Sequence, residues 1–169
     1  MYKATRLLID ARLKCSKNNL EHVSVASIPI GKANKCHHNT FEFQMSDVLG
    51  TGCARTVPVS GWLVGKYNKA KDETEIIQHW WNLDTVSRQH FDTTPLNEGT
   101  LHSDYEYVTD FELALWGNEH FDAIDSNVCN SLCLRHGKWF LVNEDKDGKL
   151  IYKQTDSLKV ENLFLELDD

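Results

Sequence analysis

Three residues in this sequence have types and spacing that suit thiol chemistry: Cys36, His79 and Asp92. Cys36 stands just before His37–Leu49, where Phe41, Met45, Val48 and Leu49 recur at the spacing of one helix face. A solvent-facing thiol there would meet unpaired N–H groups and the positive end of the helix dipole. Both favour the thiolate, which is the attacking species. His79 and Asp92 fall in two neighbouring strand-like segments, Glu75–Leu83 and Arg88–Thr94. With the turn centred on Thr85-Val86, His79 faces Asp92, Trp80 faces Phe91 and Trp81 faces His90. Directly opposed residues have Cβ atoms ~4.5–5.5 Å apart. At that distance a carboxylate accepts one imidazole N–H and fixes the tautomer, so the other ring nitrogen can take a proton from a nucleophile.

Other reactive residues fit less well. Cys53, in Thr51-Gly52-Cys53-Ala54, is the competing nucleophile, but a strand rather than a helix is expected to follow it. His120, Cys129, Cys133 and His136 are donor types that suit zinc, and the Cys-x3-Cys separation is tolerable, but the histidine placement matches no finger. His38-Asn39-Thr40 has a His-x-Thr form without a second such element at suitable distance. Asp145-Lys146-Asp147-Gly148 lacks the distant glutamate of a calcium loop and is expected to be a hairpin turn. No metal and no cofactor is expected.

The segments that must position these residues are legible as patterns. Tyr2–Leu13 has a helical stripe through Leu7, Leu8 and Ala11. His22–Ile30 reads as a strand stopped by Pro29 and Gly31, and Thr56–Val64 as a second, with Pro58 pointing to an edge or a strand start. Tyr105–Trp116 reads as a helix on Val108, Phe111 and Leu115. Lys138–Val142 and Leu150–Tyr152 form a terminal hairpin. Trp62, Trp80 and Trp81 are expected in the core, with Trp81 also a candidate pocket wall because it shares the face of His79. Helices come first and strands follow, which predicts an α+β class rather than alternating βαβ units.

At 169 residues the chain fits one domain spanning 1–169. Its net charge of −7 argues against a nucleic acid or anionic membrane partner, since both attract basic surfaces. No segment approaches the ~20 apolar residues of a membrane span. The start does not read as a signal peptide, and five scattered cysteines do not suggest a disulfide framework. The expected compartment is the cytoplasm.

Cys36-His37-His38-Asn39, Ser60-Gly61-Trp62-Leu63-Val64, His79-Trp80-Trp81-Asn82 and Phe91-Asp92-Thr93-Thr94-Pro95 together resemble a pattern found in small phage and bacterial proteins. These are similar to the minimal papain-like superfamily that includes the transglutaminase-like and NlpC/P60 groups. The resemblance covers about a third of the chain. It implies a papain-like or transglutaminase-like fold, with a nucleophile-bearing helix packed on a small antiparallel sheet. It also implies that Cys36 is the nucleophile, His79 the general base and Asp92 the orienter, acting on a protein or peptide-like substrate, in the host cytoplasm if the chain is phage-encoded. Papain-type enzymes place a Gln several residues before the Cys to bind the oxyanion, and Ile30 lies in that region here. Asn34, Asn39 and Gln78 are the candidate substitutes, beside the backbone N–H of Cys36 or His37. The leading expectation is a thiol hydrolase or acyltransferase. The alternatives are a non-enzymatic binding or inhibitor module and a metal-dependent hydrolase or zinc-stabilised module.

Overall fold

The computed structural model describes residues 1–33, 35–96, 100–113, 131–145 and 147–163. Helix α1 (Lys3–Leu13) is followed by two short strands, β1 (Leu20–Val23) and β2 (Val25–Ser27), and by α2 (Cys36–Thr51). Then come β3 (Thr56–Gly65), β4 (Glu73–Asp84) and β5 (His90–Asp92). A 3-10 turn (His102–Asp104) leads into β6 (Tyr105–Asp110). Strands β7 (Ser131–Arg135), β8 (Lys138–Glu144) and β9 (Leu150–Thr155) follow, with a short helix α3 (Val160–Leu163).

The nine strands of the described residues belong to one sheet with a main path β1-β6-β3-β4-β7-β8-β9. Every pairing is antiparallel except that of β2 with β5, which is parallel. The architecture is mainly β. This corrects the expected α+β, papain-like class of a helix on a small sheet, because the dominant element is an extended nine-stranded sheet with few helices against it. The stretch Tyr105–Asp110, expected to begin a helix, is instead a strand, with helical residues beginning only at 111. Its Tyr107 and Val108 are both buried, on opposite faces of the sheet, and pairing with β3 and β1 on both sides decides for the strand. The expected strand His22–Ile30 is divided into β1, which pairs with β6, and β2, which pairs with β5. α2 extends past Gly50 to Thr51, and Gly52 caps it in the left-handed conformation at φ 77°.

Register and alternation define two faces. Trp62, Val64, Ile76, Val108, Leu132 and Leu141 lie on one face and close a core with Ala4 and Leu8 of α1. α1 is also anchored by charge. The fully buried Arg12 donates to both oxygens of Asp110, to Glu112 and to the Leu158 carbonyl. Trp62 Nε1 donates to the same Asp110 at 2.9 Å. α2 lies against this face further along β4, where Trp80 meets His37 and Phe41 and Asn82 donates to the Thr40 carbonyl. The opposite face carries a smaller core of Val59, Leu63, Trp81 and Tyr107.

One edge of β4 is shared by two strands. β7 pairs with Glu73 to Ile77 and β5 with Asn82 and Leu83. Residues 78–81 lie between them on that edge, opposite β3. Pro58 sits where β3 has β4 alone as a neighbour, because β6 pairs only from Gly61 onward.

Candidate functional site

His79 projects from the part of β4 between its partners β5 and β7, and Asp92 ends β5. His79 Nε2 lies 2.6 Å from Asp92 Oδ2, and both side chains are buried. The ladder pairs Asn82 with Phe91 and Leu83 with His90. This register is two residues from the expected one, in which His79 faced Asp92 directly. The shift arises in the turn. Asp84 Oδ1 accepts the N–H groups of Val86 and Ser87, and Arg88 takes a left-handed φ of 61°. A shift of two preserves which face a residue occupies. His79 and Asp92 therefore still share a face and meet on the diagonal.

Asp92 is held from every side. Its Oδ1 accepts the Thr94 N–H at 2.8 Å, and Oδ2 also accepts the Tyr107 O–H at 2.8 Å. Burial alone would raise its pKa. The charge and hydrogen bond of His79, with those from Thr94 and Tyr107, outweigh burial and hold it below the usual carboxylate range. Tyr107 is shifted upward by burial and by the adjacent Asp92 charge, so it remains a phenol that donates. A carboxylate on Nε2 leaves Nδ1 as the His79 nitrogen with a lone pair.

Cys36 is the first residue of α2, and Lys35, at the N-cap, makes no side-chain capping bond. Cys36 and His79 line one cavity of about 590 Å³, with Gln78, Thr94, Pro95 and Leu96 among its other walls. The thiol is buried rather than solvent-facing, at 9% exposure. Cys53 is exposed beyond the C-terminal end of α2. Sixteen helical residues span ~24 Å, so Cys53 does not serve His79.

The oxyanion candidates separate. Asn34 lies outside the described residues. Asn39 is a structural clamp: its Oδ1 accepts the Lys32 N–H, while Nδ2 donates to the Lys32 carbonyl at 2.7 Å and to Thr94 Oγ1 at 3.0 Å. Both amide protons are engaged, so Asn39 is not an oxyanion donor. It ties the first turn of α2 through Thr94 to Asp92. Gln78 lines the cavity beside His79. Trp81 is not among the residues that line this cavity. It is wholly buried, stacks on His79 with ring centroids 6.5 Å apart, and donates to His90 Nδ1 at 3.0 Å. Burial lowers the pKa of His90, in keeping with a neutral acceptor there.

Sequence reasoning missed Thr94, Tyr107 and His102. His102 Nδ1 lies 2.5 Å from the Tyr107 hydroxyl. Tyr107 was hidden by the helical reading of 105–116, and His102, just before that stretch, was given no role. Thr94 was assigned to the strand but given no role.

Among the described residues no group of three or more His, Cys, Asp or Glu side chains is placed to hold a metal ion. His120 and Cys129 lie outside them, Cys133 is buried in β7, and His136 pairs with Asp72 in the β7–β8 turn. Asp145 accepts the N–H groups of Asp147 and Lys149, forming the turn between β8 and β9. No helix among the described residues is long and apolar enough to cross a membrane. In comparisons with known proteins, no family model, no curated protein and no solved structure matches this chain significantly.

Proposed function

We propose that this protein is a thiol-dependent amide or ester hydrolase or acyltransferase in which Cys36, His79 and Asp92 act together. The observation that supports this reading most is the buried bond from Asp92 to His79, which lines the same cavity as Cys36. Asp92 fixes the tautomer, and His79 Nδ1 takes the Cys36 proton. The sulfur attacks the substrate carbonyl carbon, forming a C–S bond as the C=O π pair moves onto oxygen. N–H groups in the first turn of α2 and the Gln78 amide are the candidate donors to that oxyanion. As the carbonyl re-forms, the leaving amine or alcohol departs with the proton held by His79. Water or an amine then attacks the thioester, His79 takes its proton, and the thiol returns.

The test is the pH-dependent rate of carboxamidomethylation by iodoacetamide, mapped to each cysteine. Cys36 is expected to react faster than Cys53 near neutral pH despite its burial, and His79→Ala is expected to abolish that advantage. Equal rates, or a Cys36 slower than Cys53, would remove the enzyme reading. The cavity would then be better described as part of a binding module.

A further inference from the structure

We infer that a second histidine, His102, is wired through Tyr107 to Asp92 and sets the proton affinity of His79, which makes Tyr107 and His102 positioning residues for the base. This rests on the proposed role of His79. Asp92 Oδ2 takes two donors, His79 Nε2–H at 2.6 Å and Tyr107 O–H at 2.8 Å. Because the Tyr107 proton points to Asp92, its oxygen accepts from His102 Nδ1–H at 2.5 Å. The two rings are almost parallel, at 7°. His102 Nδ1 is 3.6 Å from the same Oδ2, too far for a direct bond. Its Nε2 is buried without a hydrogen-bond partner. A lone pair is cheaper there than an unpaired N–H, so the Nδ1–H tautomer is favoured.

Each donor on a carboxylate oxygen draws charge from it and weakens its hold on a neighbouring imidazolium. The donation from His102 polarises the Tyr107 O–H and strengthens that draw. Removing either link therefore returns negative charge to His79 and raises its pKa. The other ionisable groups facing the cavity are Lys35 and Cys36 at the start of α2, Glu75 on β4, Tyr105 on β6 and Glu144 on β8.

The experiment measures the His79 pKa by NMR titration of the full chain carrying Cys36→Ala, so the result does not depend on thiol reactivity. Tyr107→Phe keeps the ring that meets Trp81 edge-on at 5.2 Å and removes only the hydroxyl. His102→Leu removes the second donor, and His102→Asn restores an N–H at the δ position. Tyr107→Phe and His102→Leu are expected to raise the His79 pKa by about 0.5–1 unit, while His102→Asn stays near the parent. A structural role alone would lower melting temperatures and leave the His79 pKa unchanged or lowered. That result in either folded variant would overturn the wiring. Because His102 sits on a turn outside both cores, its variants read out even if Tyr107→Phe unfolds. Loss of the Cys36 rate advantage with this shift intact would instead remove the enzyme reading and leave the wiring in place.

Discussion

Asn39 and Asp92 are joined through one residue: Asn39 Nδ2 donates to Thr94 Oγ1, and the Thr94 N–H donates to Asp92 Oδ1. The helix turn that carries Cys36 and the carboxylate that orients His79 are thus held in one hydrogen-bonded frame. Asn39→Ala removes both of its donations. It is expected to lower the melting temperature and, in the folded fraction, to slow Cys36 alkylation, because α2 no longer starts at a fixed place against β5. Thr94→Val, which keeps the backbone N–H to Asp92 and removes only the Asn39 link, should show the same slowing with a smaller loss of stability. Circular dichroism melts and mapped alkylation rates on both variants check this.

Asp92→Asn tests the proposed base directly. The amide is nearly isosteric, so the fold is expected to survive at reduced stability. An amide no longer enforces the His79 tautomer, and acyl transfer is expected to fall by about 10⁴-fold, as for other triad carboxylates. Turnover of an activated thioester or ester by the wild type and the variant measures the ratio. A drop of less than about tenfold would show that Asp92 holds structure and not catalysis.

The contact of His79 with Asp92 was more legible in the sequence than the fold. Cys36, His79 and Asp92 are polar residues set in apolar or helical patterns, and that contrast is local. The alternation that places His79 and Asp92 on one face survives the two-residue slip of register, because parity is all it needs. What local pattern could not show was the pairing of distant strands. Tyr107 and Val108 fit a helix or a strand, and only β1 and β3 on either side resolve them. β7 and the parallel pairing of β2 with β5 likewise exist through partners far along the chain. Arg12 was invisible as a core residue, since nothing near it announces Asp110.

Acid stability should carry the mark of Asp92. Its pKa in the fold is depressed below the ordinary value of about 3.9. A depressed carboxylate contributes stability that is fully present above the unfolded pKa and is lost as pH falls through the folded pKa. The part of the stability gap between wild type and Asp92→Asn that comes from this carboxyl is therefore expected to narrow progressively below about pH 4. Urea titrations at a series of pH values measure it. A gap that widened on acidification would mean that the carboxyl is protonated in the native state.

Trp80→Ala is expected to act through packing. Trp80 is 4% exposed and meets His37 at 4.8 Å and Phe41 at 6.1 Å between centroids. Truncating a buried aromatic of this size costs about 3–5 kcal/mol, a large part of a typical total of about 5–15 kcal/mol. Since its contacts are with the first turns of α2, Cys36 reactivity should fall with the fold. Cys36→Ala, by contrast, removes one small buried atom and should cost about 1 kcal/mol while abolishing acyl transfer. Paired melts and activity on the two variants separate packing from chemistry.

Two glycines give opposite expectations for the same substitution. Gly61 stands opposite His79 in the β3–β4 ladder. A Cβ there would overlap the Val108 carbonyl oxygen and come within 2.6 Å of the Trp81 ring. The first obstacle is backbone in a paired strand and cannot withdraw without opening the β3–β6 ladder. The second is the ring on which His79 stacks. Gly61→Ala is therefore expected to destabilise by about 1–3 kcal/mol or more and to disturb His79 through Trp81, lowering the Cys36 alkylation rate even where the protein remains folded. Gly50 lies inside α2, and a Cβ there meets nothing within 4 Å. Gly50→Ala replaces the residue with the greatest backbone entropy by the best helix former and should stabilise by about 0.5–1 kcal/mol, with Cys36 reactivity unchanged at the far end of the helix. Urea unfolding of both variants measures the two signs. A neutral Gly61→Ala would show that β3 and β6 do not approach as closely as this ladder requires, and with it that Trp81 is not the floor beneath His79.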